Sequence, residues 1–204
     1  MLDVLMDQRS HAAAELARAA AVSPSTASSH LAALTDGALV VAEPAGRSRA
    51  YRLAGPAVAE ALEALSVLAP PRSSRAPADG ALRAARTCYD HLAGELGVGV
   101  AQALVGRRIL RPNGKDFELT RSGERRLKEL GVDVDEARRQ RRTFARACLD
   151  WTERQPHLAG ALGAALLRRL LELDWVRCGD TARTVSVTPK GRDCLRDLLG
   201  LDVR

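Results

Sequence analysis

Apolar and polar positions between residues 10 and 53 follow a pattern that predicts two short helices and then a β-hairpin. The first helix is expected at roughly Ala12–Ala20, an alanine-rich segment with Leu16 on its buried face. After residue 37, two short apolar runs are separated by Pro44-Ala45-Gly46, a strong turn signal. The predicted order of elements is therefore helix, tight turn, helix, strand, basic loop and strand.

The second helix of this unit has clear start and stop signals. Ser23 is a good N-cap, because its hydroxyl can accept a hydrogen bond from a free N–H of the first turn. Pro24 fits the first helical position, where no N–H is needed. We expect the helix to end at Asp36-Gly37, with the glycine in the left-handed conformation. The buried face consists of three residues at helical spacing: Ala27, Leu31 and Leu34.

The other face of the second helix is polar and suits close approach to double-stranded DNA, at its base edges and phosphates. Its candidate DNA-binding residues are Ser23, Ser25, Thr26, Ser28, Ser29 and His30. The tip of the hairpin adds Arg47 and Arg49, which suit contact with phosphates or the minor groove. The alternative is a helical hairpin packed on a two-stranded sheet, with its serines merely exposed.

The segment AELARAAAVSPSTASSHLAALTDGALVVAEPAGRSRAYRL resembles the ArsR-type winged helix-turn-helix repressors. The resemblance covers about the first 68 residues. It implies a cytoplasmic, homodimeric repressor that binds the operator of its own or a neighbouring operon. It also implies that a metal ion or a small-molecule effector releases the repressor from DNA.

Two departures from the family pattern affect these expectations. The metal-binding Cys-x-Cys of the helix before the turn is absent, since that helix reads Ala-Glu-Leu-Ala-Arg-Ala here. The family also has a leading helix that helps to form the dimer, whereas this chain begins almost directly with Leu2–Met6. Either the start is truncated or the dimer uses other surfaces.

Composition limits the protein class. No apolar run approaches the roughly 18 residues of a membrane span, so no membrane partner is expected. Four cysteines at irregular spacing fit a reducing compartment better than a disulfide framework. The net charge is +6, yet residues 1–68 hold five basic and seven acidic residues. Attraction to phosphate must therefore come locally from Arg47, Arg49 and Arg52, from helix N-termini or from the basic second half.

Composition and periodicity predict two domains, mainly α with small β-hairpins (α+β). The first is a winged helix-turn-helix domain at residues 1–68. A helix at residues 56–68 closes it and is a possible dimer seam, with Val58, Ala61, Leu62, Leu65 and Leu68 at helical spacing. Residues 69–80, rich in Pro, Ser, Arg and Ala, are the expected linker. Residues 81–204 are the expected effector-sensing and dimer-supporting domain.

An internal duplication is predicted in the second half, with repeats at about 81–131 and 138–200. Each repeat is expected to be a winged-helix-like unit of helix, strand, turn, strand and helix. Matching T-x-x-G-x-x-x-L phrases begin at Thr120 and Thr188, where a strand ends and a threonine caps the next helix. Hairpin turns are expected at Asn113-Gly114 and Gly179-Asp180.

The basic segment between the repeats, residues 134–151, is expected to be one helix. Its arginines either contact DNA non-specifically or form a solvated face opposite Phe144 and Cys148. The arginines concerned are Arg138, Arg139, Arg141, Arg142 and Arg146.

The duplication also places cysteine and histidine at matching points of both repeats. The candidate metal ligands are Cys88, His91, Cys148 and His157. We expect Cys88 and His91 to share a helix face, because they lie three residues apart. Two thiolates and two imidazoles suit zinc, cadmium or a similar ion as effector. Asp90 and Asp150 are possible further ligands or acceptors for the histidines.

Other functions remain open for this domain. Cysteines often only fill space in a core, and we expect that of Cys178 and Cys194. An organic effector between the repeats, with Tyr89 and Trp151 as walls, or a thiol-redox response is the alternative to a metal. A DNA-binding protein without a sensor is less favoured. An enzyme is not expected, because the chain has no Gly-rich phosphate loop, nucleophile elbow or H-E-x-x-H.

Overall fold

The computed structural model describes residues 1–68, 77–179 and 183–203. The chain is an α+β protein with small antiparallel sheets, and it divides into two compact units at residues 1–66 and 67–204. Of the predicted linker, residues 69–76 lie outside the described residues, and residues 77–80 belong to a helix. No helix in the described ranges has both the length and the apolar character needed to cross a bilayer.

The first unit has the predicted order of two helices and a hairpin. Its elements are α1 Leu2–Leu5, β1 His11–Ala12, α2 Ala13–Ala19, α3 Pro24–Asp36, β2 Val40–Ala45, β3 Ser48–Leu53 and α4 Pro56–Leu68. The strands form one antiparallel sheet in the order β1-β3-β2. Strand β1 was not predicted, because two residues are too few to show an alternating pattern.

Helix α3 confirms the predicted start and end, but the conformation of Gly37 differs from the prediction. The Ser23 hydroxyl accepts a hydrogen bond from the Thr26 N–H at 3.1 Å. The Gly37 N–H still bonds to the Ala33 carbonyl, so this glycine keeps φ at −77°. The prediction of a left-handed Gly37 is wrong, because the left-handed conformation occurs one residue later, at Ala38 with φ +54°.

A small core of aliphatic side chains fixes α3 in this unit. Helices α2 and α3 pack their apolar faces together, and the hairpin closes over them. The buried residues are Leu5, Met6, Leu16, Ala17, Ala27, Leu31, Val40, Leu53 and Ala59. Burying such a face leaves the opposite side of α3 in solvent.

The second unit repeats one order of elements. After α5 Pro77–Ala84, the first copy contains β4 Arg86–Cys88, β5 His91–Ala93, α6 Gly94–Gly106, β6 Leu110–Asn113, β7 Asp116–Leu119 and α7 Arg121–Glu129. Helix α8 Val134–Arg139 follows it. The second copy contains β8 Arg146–Leu149, β9 Pro156–Ala159, α9 Gly160–Glu172, β10 Val176–Cys178, β11 Val185–Val187 and α10 Pro189–Leu199. Each copy is thus hairpin, helix, hairpin and helix.

Three local predictions for this unit are corrected. The segment 134–151 is not one helix: α8 ends at Arg139, and the apolar residues from Arg146 onward pair as strand β8. In each copy, a hairpin that was not predicted precedes the expected order of helix, strand, turn, strand and helix. The turn of β6–β7 is Gly114-Lys115, one residue later than predicted, and that at Gly179-Asp180 lies partly outside the described residues.

The two T-x-x-G phrases have the predicted capping role. Thr120 and Thr188 each accept a hydrogen bond from the glycine N–H three residues on, at 2.9 Å. Gly123 and Gly191 pack against backbone carbonyls of Ile109 and Trp175, where a Cβ would clash. The phrase therefore fixes how α7 and α10 leave their hairpins.

Candidate functional site

The polar face of α3 lies in solvent, as the sequence predicts. Its residues are all exposed: Ser23, Ser25, Thr26, Ser28, Ser29 and His30. Ala27 and Leu31 occupy the opposite, buried face of the helix. Such a helix presents small polar groups with no bulky side chain between them, which is what close contact with a groove requires.

The serine hydroxyls of α3 are already oriented by the helix. Ser28 donates to the Pro24 carbonyl at 2.9 Å, and Ser29 donates to the Ser25 carbonyl at 3.2 Å. Each oxygen keeps its lone pairs free for a donor on a base edge. Ser23 differs, because its oxygen is engaged as the cap of α3. Because its oxygen already caps the helix, Ser23 is less available for contact with DNA than the other serines.

The hairpin β2–β3 carries two exposed arginines at its tip. Gly46, with φ +60°, and Arg47 form the two-residue turn, and Arg49 lies opposite Pro44. Within the described ranges, neither Arg47 nor Arg49 forms an ion pair. Both guanidinium groups therefore remain available for phosphate.

The third arginine expected to attract phosphate is already paired. Arg52 donates from Nε to Glu43 Oε1 at 2.5 Å, and the same hydrogen bond lowers the Glu43 pKa. The Ser10 hydroxyl adds a further bond to Glu43. Arg52 therefore braces the base of the hairpin, and its charge is largely compensated.

In the second unit, the four candidate metal ligands converge in a cluster made of both copies, the Cys/His cluster. Cys88 ends β4 and pairs directly with His91 at the start of β5; Cys148 on β8 pairs in the same way with His157 on β9. All four residues are buried, and their ligand atoms lie within 4.8 Å of one another. Half of the chain's four cysteines and half of its four histidines meet here.

The predicted route to this arrangement is wrong, although the residues are brought together. Cys88 and His91 do not share a helix face. Tyr89 and Asp90 form a two-residue turn between them, with Tyr89 at φ +57°. Residues directly opposite in a hairpin lie as close as residues three apart on a helix. The spacing was thus compatible with both structures.

The cluster has short contacts between like atoms. The two sulfur atoms are 3.9 Å apart, and the Nε2 atoms of His91 and His157 are 3.2 Å apart. The imidazole rings stack with their centroids 5.1 Å apart. A hydrogen bond from the Cys88 thiol, with further ones from His157 and His91, lowers the pKa of Cys148 despite its burial.

Each histidine turns its Nδ1 toward an aspartate. His91 Nδ1 is 3.2 Å from Asp90 Oδ1, and His157 Nδ1 is 3.6 Å from Asp150 Oδ2. The second distance exceeds a hydrogen bond, so His157 Nδ1 is buried without a partner in the described structure. Of the roles predicted for Asp90 and Asp150, the structure favours acceptors of the histidines over direct ligands.

Two arginines hold the aspartates, a role that was predicted for neither of them. Arg86 donates to both oxygens of Asp150 at 2.9 and 2.8 Å in a fully buried pair, and its guanidinium lies 4.6 Å from the centre of the Trp151 ring. Arg142 pairs with Asp90 at 2.5 Å. Burial raises the Asp150 pKa, but Arg86, Thr152 and two backbone N–H groups lower it well below its usual range. The recurrence of Arg-x-Cys at residues 86 and 146 was the available signal for Arg86.

A glycine from the opposite copy lies against each histidine. Gly97 of α6 lies 3.7 Å, measured from the position of an added Cβ, from the Cβ of His157; Gly163 of α9 lies 3.2 Å from that of His91. The same added Cβ would stand 2.5 Å from the carbonyl of Leu92 or Leu158. Both glycines therefore let a central helix approach a hairpin.

The remaining predicted residues lie outside the Cys/His cluster. Cys178 is exposed, so the expectation that it fills a core is wrong, whereas Cys194 packs on the core as expected. Trp151 stacks on Arg86, and a cavity of about 460 Å³ lies elsewhere, between helices of the two copies. Its lining includes Leu104, Leu130, Leu166, Leu170 and Trp175. Tyr89 and Trp151 are therefore not its walls.

Most arginines of the basic segment between the copies form ion pairs within the protein. Arg138 pairs with Glu124, Arg139 with Glu136, and Arg142 with Asp90. Such pairing favours the solvated and structural interpretation of this segment over a contact with DNA.

Comparison with known proteins gives one informative relative. Over 194 residues the chain is 44% identical to YdfF of Bacillus subtilis (strain 168), named an uncharacterized HTH-type transcriptional regulator. The match covers 92% of this chain and 85% of YdfF. No family model and no solved structure matches the chain.

Proposed function

The chain belongs to the HTH-type transcriptional regulators. From the resemblance of its first 68 residues we propose that it is a repressor of the ArsR type. It is a DNA-binding regulator, and residues 1–68 are proposed as its winged helix-turn-helix domain. In this proposal α3 lies in the major groove as the recognition helix, and the hairpin β2–β3 is the wing.

The observation that carries the proposal is the pairing of two exposed surfaces on one small unit. Ser25, Thr26, Ser28, Ser29 and His30 form a polar strip on α3. Arg47 and Arg49 lie exposed on the wing and form no ion pair with any residue that the structure describes. The strip has the donors and acceptors that read base edges, and the wing has the charge that binds phosphate. This division matches the local source of positive charge expected in an otherwise acidic domain.

A homodimer is proposed because α4 exposes large aliphatic side chains. Leu65 is 62% exposed and Leu68 is 80% exposed, although both continue the apolar pattern of the helix. A second copy covering these leucines would place two recognition helices on one duplex. Half-sites about one turn apart, ~34 Å, are then expected in the operator.

Residues 81–204 are proposed to sense an effector with their two winged-helix-like repeats. A metal ion such as zinc or cadmium is the first candidate, because the Cys/His cluster has the ligands that these ions prefer. An effector that binds one arrangement of the repressor more tightly shifts the population toward it and changes operator affinity.

An organic effector is the second candidate, supported by the cavity of about 460 Å³. It is lined mainly by aliphatic residues and Trp175, with Arg126, Glu129 and Asp197 as polar groups. A mostly apolar lining with a few polar groups is typical of small-molecule sites. The compound would have to reverse DNA binding in a protein stripped of metal.

The test is binding of the full chain to its own promoter fragment, measured by fluorescence anisotropy at several salt concentrations. Replacing Arg47 and Arg49 with alanine should weaken binding to all sequences and lower the salt slope by about 1 per arginine. Arg125→Ala, an exposed arginine of α7, is the matched control. An unchanged slope in the Arg47→Ala/Arg49→Ala variant contradicts the wing assignment.

Substitutions on α3 should have a different effect from those on the wing. Ser29→Ala and His30→Ala should alter the preference among operator sequences more than non-specific affinity, because base contacts specify and phosphate contacts position. Competition with scrambled DNA separates the two effects. Equal losses on operator and scrambled DNA would remove α3 from the role of reader.

A further inference from the structure

We propose that the Cys/His cluster binds a single divalent ion of the zinc class in a closed tetrahedral site that joins the two copies of the second unit. The ligands are Cys88 and His91 from one hairpin and Cys148 and His157 from the other. The site itself follows from local geometry, whereas its effect on operator binding rests on the function proposed above.

Two of the six distances between ligand atoms, those between like atoms, match a tetrahedral ion. With Zn–S bonds of about 2.3 Å and Zn–N bonds of about 2.0–2.1 Å, two sulfurs lie about 3.8 Å apart and two nitrogens about 3.3 Å apart. The observed separations are 3.9 Å for the sulfurs and 3.2 Å for the Nε2 atoms. Both like-atom edges of the tetrahedron are thus already formed.

The orientation of the imidazoles fits coordination as well. Both histidines direct Nε2 into the cluster and Nδ1 toward a carboxylate, as metal-binding histidines generally do. With Nε2 on an ion, Nδ1 carries the proton. Asp90 already accepts at 3.2 Å, and Asp150 lies at 3.6 Å from the unpartnered Nδ1 of His157. If the His157 ring moves slightly toward the ion, its Nδ1 must stay close to Asp150.

The charges of the buried groups favour a divalent ion. Two thiolates balance a dication, and coordination releases to solvent any proton that a ligand atom still carries. The carboxylates of Asp90 and Asp150 are balanced by Arg142 and Arg86. A monovalent ion would leave one uncompensated negative charge in a buried site, which is costly.

The site has no free coordination position of the kind that catalytic zinc requires. All four ligands come from the protein, and all four are buried. The ion would therefore hold β4–β5 and β8–β9 together without activating a substrate. Its binding should stabilise the second unit, because a preformed set of ligands exists only in the folded chain.

The experiment is a titration of the reduced, metal-free full chain with Co²⁺, followed by displacement with Zn²⁺. One equivalent should give the intense visible bands of tetrahedral cobalt and a thiolate charge-transfer band. Zinc should then abolish both and raise the thermal midpoint. Weak octahedral bands, or a stoichiometry other than one, overturn the proposal.

Two matched variants give the control. Cys88→Ser/Cys148→Ser should lose both bands and the thermal response to zinc, whereas Cys178→Ser/Cys194→Ser should keep both. Because the first variant could fail to fold, the wild type is also titrated after oxidation. A Cys88–Cys148 disulfide would need the sulfurs to move from 3.9 Å to about 2.05 Å, and it would abolish cobalt uptake. Full cobalt uptake by the oxidised chain overturns the assignment of the thiolates.

Promoter binding of the same samples separates this proposal from the proposed function. A normal cobalt spectrum in a chain that binds no promoter DNA supports the site and contradicts the repressor. Promoter binding by a chain that takes up no cobalt contradicts the site alone. A change in operator affinity of at least fivefold on adding zinc supports regulation through the Cys/His cluster; no change limits the ion to stabilising the fold.

Discussion

The two hairpins that form the Cys/His cluster have the same register and different loops. Arg86, Thr87 and Cys88 pair across β4–β5 as residues 146–148 pair across β8–β9. The first hairpin turns over two residues, while the second has a loop of six, residues 150–155. The cysteine and the histidine of each hairpin therefore occupy equivalent positions. The aspartates that support the two histidines differ in how deeply they are buried. Asp150 is fully buried with Arg86, and Asp90 remains 17% exposed beside Arg142.

The difference in loop length separates the contacts that the two hairpins share from those that only one of them has. A cysteine and a histidine in direct register suffice to place one ligand pair per copy, whatever the length of the loop. The longer loop adds something else: it folds Asp150 inward, where its oxygens accept from the Gly94 N–H and from Thr152. The second copy thus anchors the first through its loop.

The largest expected difference between the hairpins is in the two ion pairs. Arg86→Ala should lower the free energy of unfolding by about 3–5 kcal/mol, because it leaves a buried carboxylate without its partner. Arg142→Ala should cost about 1 kcal/mol, since its pair is partly exposed. Urea denaturation of the metal-free variants measures both. Similar losses would mean that the loop of the second copy confers no special anchoring.

The central helices offer a test in which the copies should behave alike. Gly97→Ala and Gly163→Ala each place a Cβ 2.5 Å from a carbonyl of the adjoining hairpin. Each should lower the free energy of unfolding by about 1–3 kcal/mol, as overpacking does. Gly106→Ala, at the open end of α6 with no atom near its Cβ position, is the control. A large loss in only one copy would break the equivalence of the two helices.

A smaller effect than that of Arg86→Ala is expected where the histidines meet their carboxylates. Asp90→Asn should weaken cobalt affinity by about 10–100-fold, because it weakens the acceptor that fixes the His91 tautomer. Asp193→Asn, on the exposed surface of α10, is the control. Competition with a chelator of known affinity gives the ratio. If Asp90→Asn left the cobalt affinity unchanged, the contact between Asp90 and His91 Nδ1 would have no role in metal binding.

Much of the first unit could be predicted from its sequence because its signals are local. Ser23 and Pro24 mark the start of α3, and the exposed serines follow from the apolar residues on its other face. The end of α3 at Asp36 was also predicted, but the left-handed conformation falls on Ala38 instead of Gly37. The hairpin was predictable, and its tie to β1 was not.

In the second unit, local sequence signals were not sufficient to predict the hairpins or the long-range ion pair. The repeated cysteines and histidines predicted a shared cluster, but a spacing of three does not distinguish a helix face from a hairpin. Tyr89-Asp90 lacks the glycine or asparagine that marks most two-residue turns. Arg86 and Asp150 are 64 residues apart in the chain, so only the folded structure pairs them.

The separation of the two cysteines along the chain has a consequence for folding. Cys88 and Cys148 are 60 residues apart, so an ion held between them closes a long loop, much as a disulfide does. Unlike a disulfide, this closure needs no oxidant and is undone by a chelator. The stabilisation would increase with the free concentration of the ion. The free energy of unfolding of the second unit would therefore depend on the metal supply of the cell.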